Sequence, residues 1–148
     1  MEVYEMSELT NAVTISSNFV VKEMSIGIPV TDLQKSVEWY EKNLGCKLIA
    51  PISGVADLQL TPQQIITLFI PDDEQDSCWF AGNNYQENPH YSITMLVQDI
   101  DKLFSDLIEA GVKVGDMLGQ NSSCGKTFLF NDLDGNRFQA WGGYVNKG

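Results

Sequence analysis

Apolar and polar positions begin to alternate at Met24: Met24, Ile26, Ile28 and Val30 fall on one side of a strand, and Ser25, Gly27 and Pro29 on the other. A two-residue period of this kind predicts a strand with a single core face. The period then changes to a helical one. Leu33, Val37, Tyr40 and Leu44 are spaced four, three and four apart, with Thr31 or Asp32 ahead of them as N-cap and Gly45 behind them as terminator. Pro29 has no N–H to donate, so its strand is expected at a sheet edge. Three further apolar runs follow, Lys47 to Ile52, Ala56 to Leu60 and Gln64 to Ile70, divided by the turn residues Ser53-Gly54 and Thr61-Pro62. The predicted order is βαβββ.

The stretch from Pro71 to Pro89 is rich in Asp, Asn, Gln and Glu and reads as a linker, with Trp79 and Phe80 as its large apolar residues, expected to fold back onto the core or over a cleft. The first pattern then starts again. Ser92-Ile93-Thr94-Met95-Leu96-Val97 repeats Ser25 to Val30 at an offset of 67 residues, and Asp99-Ile100 repeats Asp32-Leu33. A match of fixed period across strand, cap and helix points to internal duplication. Ile100, Leu103, Phe104, Leu107 and Ile108 form the second helical stripe, ended by Gly111. Strands are then expected at Val112 to Leu118, Lys126 to Asn131 and Arg137 to Trp141, the last preceded by an Asp134-Gly135-Asn136 turn. Upstream, Val13 to Val21 offers one extra strand, weakened by Ser16-Ser17-Asn18 in its middle.

These elements predict one α+β domain of two tandem βαβββ modules, about 23–71 and about 90–143, and 148 residues suit one domain with a packed core. No run of about 18 apolar residues is present, and Met1 to Thr10 is polar and acidic where a secretory leader needs a basic and then apolar stretch. A cytoplasmic protein is therefore expected. The net charge of −11 excludes the clustered cations that nucleic acids and anionic membranes require, and would favour a cationic guest by long-range attraction. Cys46, Cys78 and Cys124 are widely spaced and odd in number, so buried or half-buried free thiols are expected rather than a disulfide framework. No phosphate loop, nucleophile elbow or zinc-protease motif occurs, and Gly142-Gly143 has no helix after it to make an anion site. Asp132 and Asp134, beside Gly135-Asn136, read as turn formers rather than as paired catalytic carboxylates.

Two stretches carry a resemblance. Val30-Thr31-Asp32-Leu33 followed by Ser36-Val37-Glu38-Trp39-Tyr40 and Leu44-Gly45 resembles the opening motif of the vicinal oxygen chelate superfamily, the glyoxalase, bleomycin-resistance and extradiol dioxygenase group. Phe130-Asn131-Asp132-Leu133-Asp134-Gly135-Asn136-Arg137-Phe138-Gln139 resembles its closing motif. The resemblance implies curled mixed sheets around a cleft that binds a small molecule, often over a divalent metal, and a homodimer. The family's metal-ligand positions, carried over, fall on Ser25, Thr67, Ser92 and Gln139. Neutral hydroxyl and amide oxygens bind such ions poorly without a charged partner, so no metal and no other cofactor is expected.

No catalytic residue stands out. His90, two residues before Ser92, shares its strand face and is either a base or hydrogen-bonding group toward a ligand or a solvated residue behind Pro89. Phe69 shares a face with Thr67, and Arg137 and Trp141 share one with Gln139. The expected ligand-contacting set is Ser25, Thr67, Phe69, Trp79, Phe80, His90, Ser92, Arg137, Gln139 and Trp141, holding a cationic or aromatic small molecule. Three functions remain open: a metal-free binding protein, a metal-dependent lyase or dioxygenase, and a module serving as an interaction partner.

Overall fold

The computed structural model describes residues 18–72 and 93–145. The first half runs β1 (Ser25–Pro29), α1 (Leu33–Leu44), β2 (Lys47–Leu48), β3 (Val55–Thr61) and β4 (Gln64–Phe69). The second runs β5 (Ile93–Leu96), α2 (Ile100–Glu109), β6 (Thr127–Asn131) and β7 (Arg137–Trp141). Each half forms its own open mixed sheet, in the order β1-β4-β3-β2 and β5-β7-β6. In both, the strand before the helix lies parallel to the last strand, β1 on β4 and β5 on β7, and the remaining pairs are antiparallel. Pro29 sits on an edge strand, as its missing donor requires.

The helix starts follow the same local chemistry in both halves. The Asp32 carboxylate accepts the Lys35 N–H at 3.0 Å, and the Asp99 carboxylate accepts the Lys102 N–H at 3.1 Å. Of the two N-cap candidates the structure selects Asp32. Gly45 ends α1 in the left-handed region at φ 71°, where a Cβ would strain the backbone. Asp32→Ala is expected to lower stability by about 1 kcal/mol, the usual cost of an aspartate cap, read as a shift in the urea midpoint at unchanged slope.

Buried side chains of both halves join in one hydrophobic cluster, including Ile28, Leu58, Ile66 and Leu68 from the first sheet and Phe128, Phe130 and Phe138 from the second. Val37 and Tyr40 of α1 and Leu107 of α2 close it from the helix side. The duplicated pattern thus builds one core.

Polar groups also tie the halves together. The Tyr40 hydroxyl donates to Asp132 Oδ2 at 2.6 Å, and Asn136 Nδ2 donates to the Pro29 carbonyl at 2.9 Å and to Asp132 Oδ2 at 2.9 Å. Asp132 Oδ1 accepts the backbone N–H of Asp134 and of Asn136, and Asp134 Oδ1 accepts that of Thr31. The turn between β6 and β7 therefore clamps the N-terminal end of α1 and the exit of β1. Asp132 and Asp134 do form the turn, as expected, and they also hold it against the other half. Burial pushes the Asp132 carboxyl above its ordinary value, against the lowering effect of the bonds from Tyr40, Asn136 and Asp134, and burial followed by Asp132 itself holds the Tyr40 phenol well above its own.

Several expectations are corrected. The strand predicted from Lys47 to Ile52 stops at Leu48, because Pro51 cannot donate and Ile49 keeps only one further ladder bond, its N–H to the Asp57 carbonyl. Val112 to Leu118 is no strand but two isolated bridges, Val114 to Phe130 and Leu118 to Thr127, with Gly115 and Asp116 between them. The second half therefore has three strands among the described residues. Residues 18–24 carry no strand, and the rest of the extra strand proposed from Val13 lies outside the described residues. Met24 consequently precedes β1 and is 66% exposed rather than in the core. Ile108 faces outward at 51% exposure near the end of α2. Cys124 is exposed. Cys46 is buried, with burial first and Glu41 second pushing its thiol up to about 12, so it stays protonated. Cys78 lies outside the described residues.

Candidate functional site

The sheet faces turned away from the helices carry the candidate polar groups. On the first sheet the registers place Asp57 opposite Thr67 and Thr67 opposite Gly27, with Val55 opposite Phe69 on one side and Gln59 opposite Ile65, itself opposite Ser25, on the other. Strand alternation puts these residues on the face opposite Ala56, Leu58, Ile66 and Leu68, which are buried. Thr67 Oγ1 donates to Asp57 Oδ1 at 2.6 Å and lies 3.4 Å from Ser25 Oγ. The Phe69 ring leans toward Gly27, where a Cβ would stand 3.3 Å from its Cε1. Only a residue without a side chain leaves the ring that position.

The second sheet has a matching face. Thr94 pairs with Gln139 and Gln139 with Leu129, and the Thr94 hydroxyl donates to Gln139 Oε1 at 2.9 Å. Arg137 is buried and its Nε donates weakly to Asn131 Oδ1 at 3.4 Å. Trp141 donates its indole N–H to the Cys124 carbonyl at 2.7 Å and meets Tyr144 edge to face at 4.9 Å, so the loop before β6 fixes it. Ser25, Thr67 and Phe69 are therefore brought together on one face, and Arg137, Gln139 and Trp141 on one strand of the other. Trp79, Phe80, His90 and Ser92 lie outside the described residues.

Sequence reasoning missed Asp57 and Thr94. The signal for Asp57 was present, since alternation from Ala56, Leu58 and Leu60 turns Asp57 and Gln59 to the opposite face. Thr94 stands where the duplication aligns it with Gly27, and its strand partner Gln139 is the counterpart of Thr67, the partner of Gly27. Each half thus carries a hydroxyl bonded to a side-chain oxygen acceptor, across β4 and β3 in the first sheet and across β5 and β7 in the second.

A metal fits these groups poorly. Thr67 has committed its proton to Asp57, and the one neutral acceptor of Gln139 already takes the Thr94 hydroxyl. Among the described residues no group of three His, Cys, Asp or Glu side chains converges to hold a metal ion. A cavity of about 660 Å³ opens instead between the halves, with Ile26 of β1, Leu44 of α1, Leu60 of β3 and Ile93 and Met95 of β5 among its apolar wall residues and Asp99, Lys102 and Asp106 among its charged ones. None of the six described candidate residues lines it, although Thr94, the partner of Gln139, does. It forms there because β1 and β5 are both edge strands, each with one side free of a sheet neighbour. No helix among the described residues is long and apolar enough to cross a membrane.

A family model described as the Glyoxalase/Bleomycin resistance protein/Dioxygenase superfamily matches residues 24–140. A metallothiol transferase, FosB, of Lysinibacillus sphaericus is 24% identical over 119 residues, 74% of each chain. Among solved structures, the genomically encoded fosfomycin resistance protein FosX of Listeria monocytogenes superposes with a TM-score of 0.66 at 17% identity, covering 86% of this chain and 97% of that one. TnmS3, an antibiotic binding protein from Streptomyces, superposes with a TM-score of 0.63 at 20% identity over 84% and 98%. At these identities the structural likeness concerns the fold.

Proposed function

The chain belongs to the glyoxalase, bleomycin resistance protein and dioxygenase superfamily, and within it we propose a small-molecule-binding protein that works without a catalytic metal. The observation that carries this reading is the cavity of about 660 Å³, whose wall is mostly apolar by area and also includes Thr94, Asp99, Lys102 and Asp106. Its volume lies in the range of pockets that take drug-sized ligands, and apolar walls with few polar groups are what such ligands need. The antibiotic binding protein among the structural neighbours adds support by analogy of fold. The guest is aromatic or cationic, and the set Ser25, Thr67, Phe69, Trp79, Phe80, His90, Ser92, Arg137, Gln139 and Trp141 is the ligand-contacting set in this reading, its six described members reaching the guest from outside the cavity wall.

In this reading modules of about 23–71 and about 90–143 each contribute one open sheet face, and the protein acts in the cytoplasm as a homodimer. Val55 on the first face and Leu96 on the second are 40% and 66% exposed, apolar area of the kind a second copy would cover. The competing reading is a metal-dependent lyase, transferase or dioxygenase, favoured by the likeness to a metallothiol transferase. It needs His90 to approach Gln139.

Metal analysis of the purified protein, followed by thermal shifts with Zn²⁺, Mn²⁺ and Ni²⁺ and with a panel of aromatic amines and neutral aromatics, separates the two. The binding reading expects substoichiometric metal, no stabilisation by any ion, and a rise in melting temperature with an organic compound. Thr94→Val is then expected to weaken that compound several-fold through loss of about 1 kcal/mol of hydrogen bonding, with Kd read by calorimetry. Stoichiometric metal, or stabilisation by one ion that is lost in His90→Ala, would overturn the reading in favour of the enzyme.

A further inference from the structure

On the reading of the protein as a small-molecule binder, we propose that the open face of the first sheet selects an organic ammonium group, with Asp57 as its anionic anchor and the Phe69 ring as its wall. Asp57 lies in the middle of β3, half-buried, and is the only acidic side chain among the residues that the registers put on this face, where the exposed Lys47 of β2, opposite Gln59, is the one basic residue. Among the described residues its Oδ1 accepts the Thr67 hydroxyl, while Oδ2 accepts no hydrogen bond and no cation pairs with it. A partly desolvated carboxylate with one free oxygen gains most from a cation that brings its own donors.

The neighbours match such a guest. Because the Thr67 proton points to Asp57, its remaining lone pairs are free to accept, and Ser25 Oγ lies 3.4 Å away as a second acceptor. One free carboxylate oxygen and two hydroxyl oxygens can satisfy the three N–H donors of a primary ammonium. A divalent metal would be left with a single carboxylate, too few charged ligands for a hard cation. Beside them Gly27 has no side chain, and the Phe69 ring leans over the space, presenting an aromatic surface to a cation or to the ring that carries it. The net charge of −11 raises the local concentration of any cation before it docks.

Calorimetric titration of the full chain with phenethylammonium and with its neutral counterpart 2-phenylethanol tests the assignment. The wild type is expected to bind the ammonium at least about tenfold tighter than the alcohol, a difference of about 1.4 kcal/mol, and the preference is expected to shrink as salt is raised. Asp57→Asn keeps the size of the side chain and its acceptor for Thr67 and is expected to bring the two affinities within about twofold. Phe69→Leu, which leaves the charge in place, is expected to weaken the ammonium about threefold more than the alcohol. Should Asp57→Asn be unstable, the Phe69→Leu result and the salt dependence of the wild type decide. An undiminished preference in Asp57→Asn, or tighter binding of the alcohol by the wild type, would overturn the assignment while leaving the small-molecule reading intact. Binding of neither compound together with no response to the aromatic panel would remove both.

Discussion

Asp132→Ala is expected to cost about 3 kcal/mol of unfolding free energy, a large share of what a domain of this size possesses. The carboxylate accepts four hydrogen bonds, from the Tyr40 hydroxyl, the Asn136 side chain, and the backbone N–H groups of Asp134 and Asn136. Tyr40 is 1% exposed and Asn136 is fully buried, so alanine would strand their donors where water cannot replace the lost partner. The damage reaches across the molecule, because the same turn holds the Pro29 carbonyl and the Thr31 N–H of the other half. Asp132→Asn should cost less but not vanish, since its amide puts a donor against groups that already donate. Tyr40→Phe removes one bond only, and a double-mutant cycle with Asp132→Ala should report a coupling of about 1 kcal/mol or more. Urea unfolding of the four proteins checks the series.

The same carboxylate sets a pH dependence whose sign can be worked out. Burial raises its folded value above the ordinary carboxylate value. At pH below the unfolded value both states are protonated and the contribution is fully present. As pH rises from there through the higher folded value, the native state holds the proton that the unfolded chain has lost, and the contribution declines. The stability of the wild type minus that of Asp132→Asn should therefore fall across that interval and level off above it. A difference that rises with pH would mean the carboxylate is favoured, not disfavoured, by its site.

Phe130→Ala is expected to cost about 3 to 5 kcal/mol, the range for emptying a fully buried aromatic position. Phe130 has no exposed surface, stands 6.0 Å from the Phe128 ring and 5.6 Å from the Phe138 ring, and is the residue to which Val114 bridges. Phe128 in turn meets Phe104 of α2 edge to face at 5.0 Å. Deleting the middle ring would leave a cavity bounded by sheet and helix, neither of which can close in without breaking the β6–β7 register. Phe130→Leu, which refills most of the volume, should recover the larger part of the loss. Chemical denaturation at unchanged slope would confirm that the effect lies in the native core.

How much of the molecule was legible beforehand differs by element. Both helices were, with their aspartate N-caps and the Gly45 C-cap of α1, because these act within a few residues of themselves; α2 is capped by Ala110, with the left-handed Gly111 one residue further on. The strands β1, β3, β4, β5, β6 and β7 were legible too, since two-residue alternation is imposed by the core they cover. The runs after each helix were not. Lys47 to Ile52 and Val112 to Leu118 have apolar content enough for strands, yet a strand also needs a neighbour with free donors and acceptors along its whole length. Pro51 in one and Asp116-Met117 in the other, where the register against β6 slips by one residue, break that ladder.

The candidate site divides in the same way. Alternation and duplication sufficed to place Ser25, Thr67 and Phe69 on one face and Arg137, Gln139 and Trp141 on one strand. They could not tell that Trp141 would be tied to the Cys124 carbonyl, or that the cavity would open beside the edge strands, where none of these six lines it. By itself the sequence determined the periodicities, the caps, the repeated module and the family to which its two motifs belong. Only the tertiary structure decided which residues meet across the modules: Tyr40 with Asp132, Asn136 with Pro29, Asp57 with Thr67. Periods and caps arise from forces acting over one or two turns of chain, whereas these contacts join groups up to 107 residues apart, and their geometry follows from how two sheets share one core.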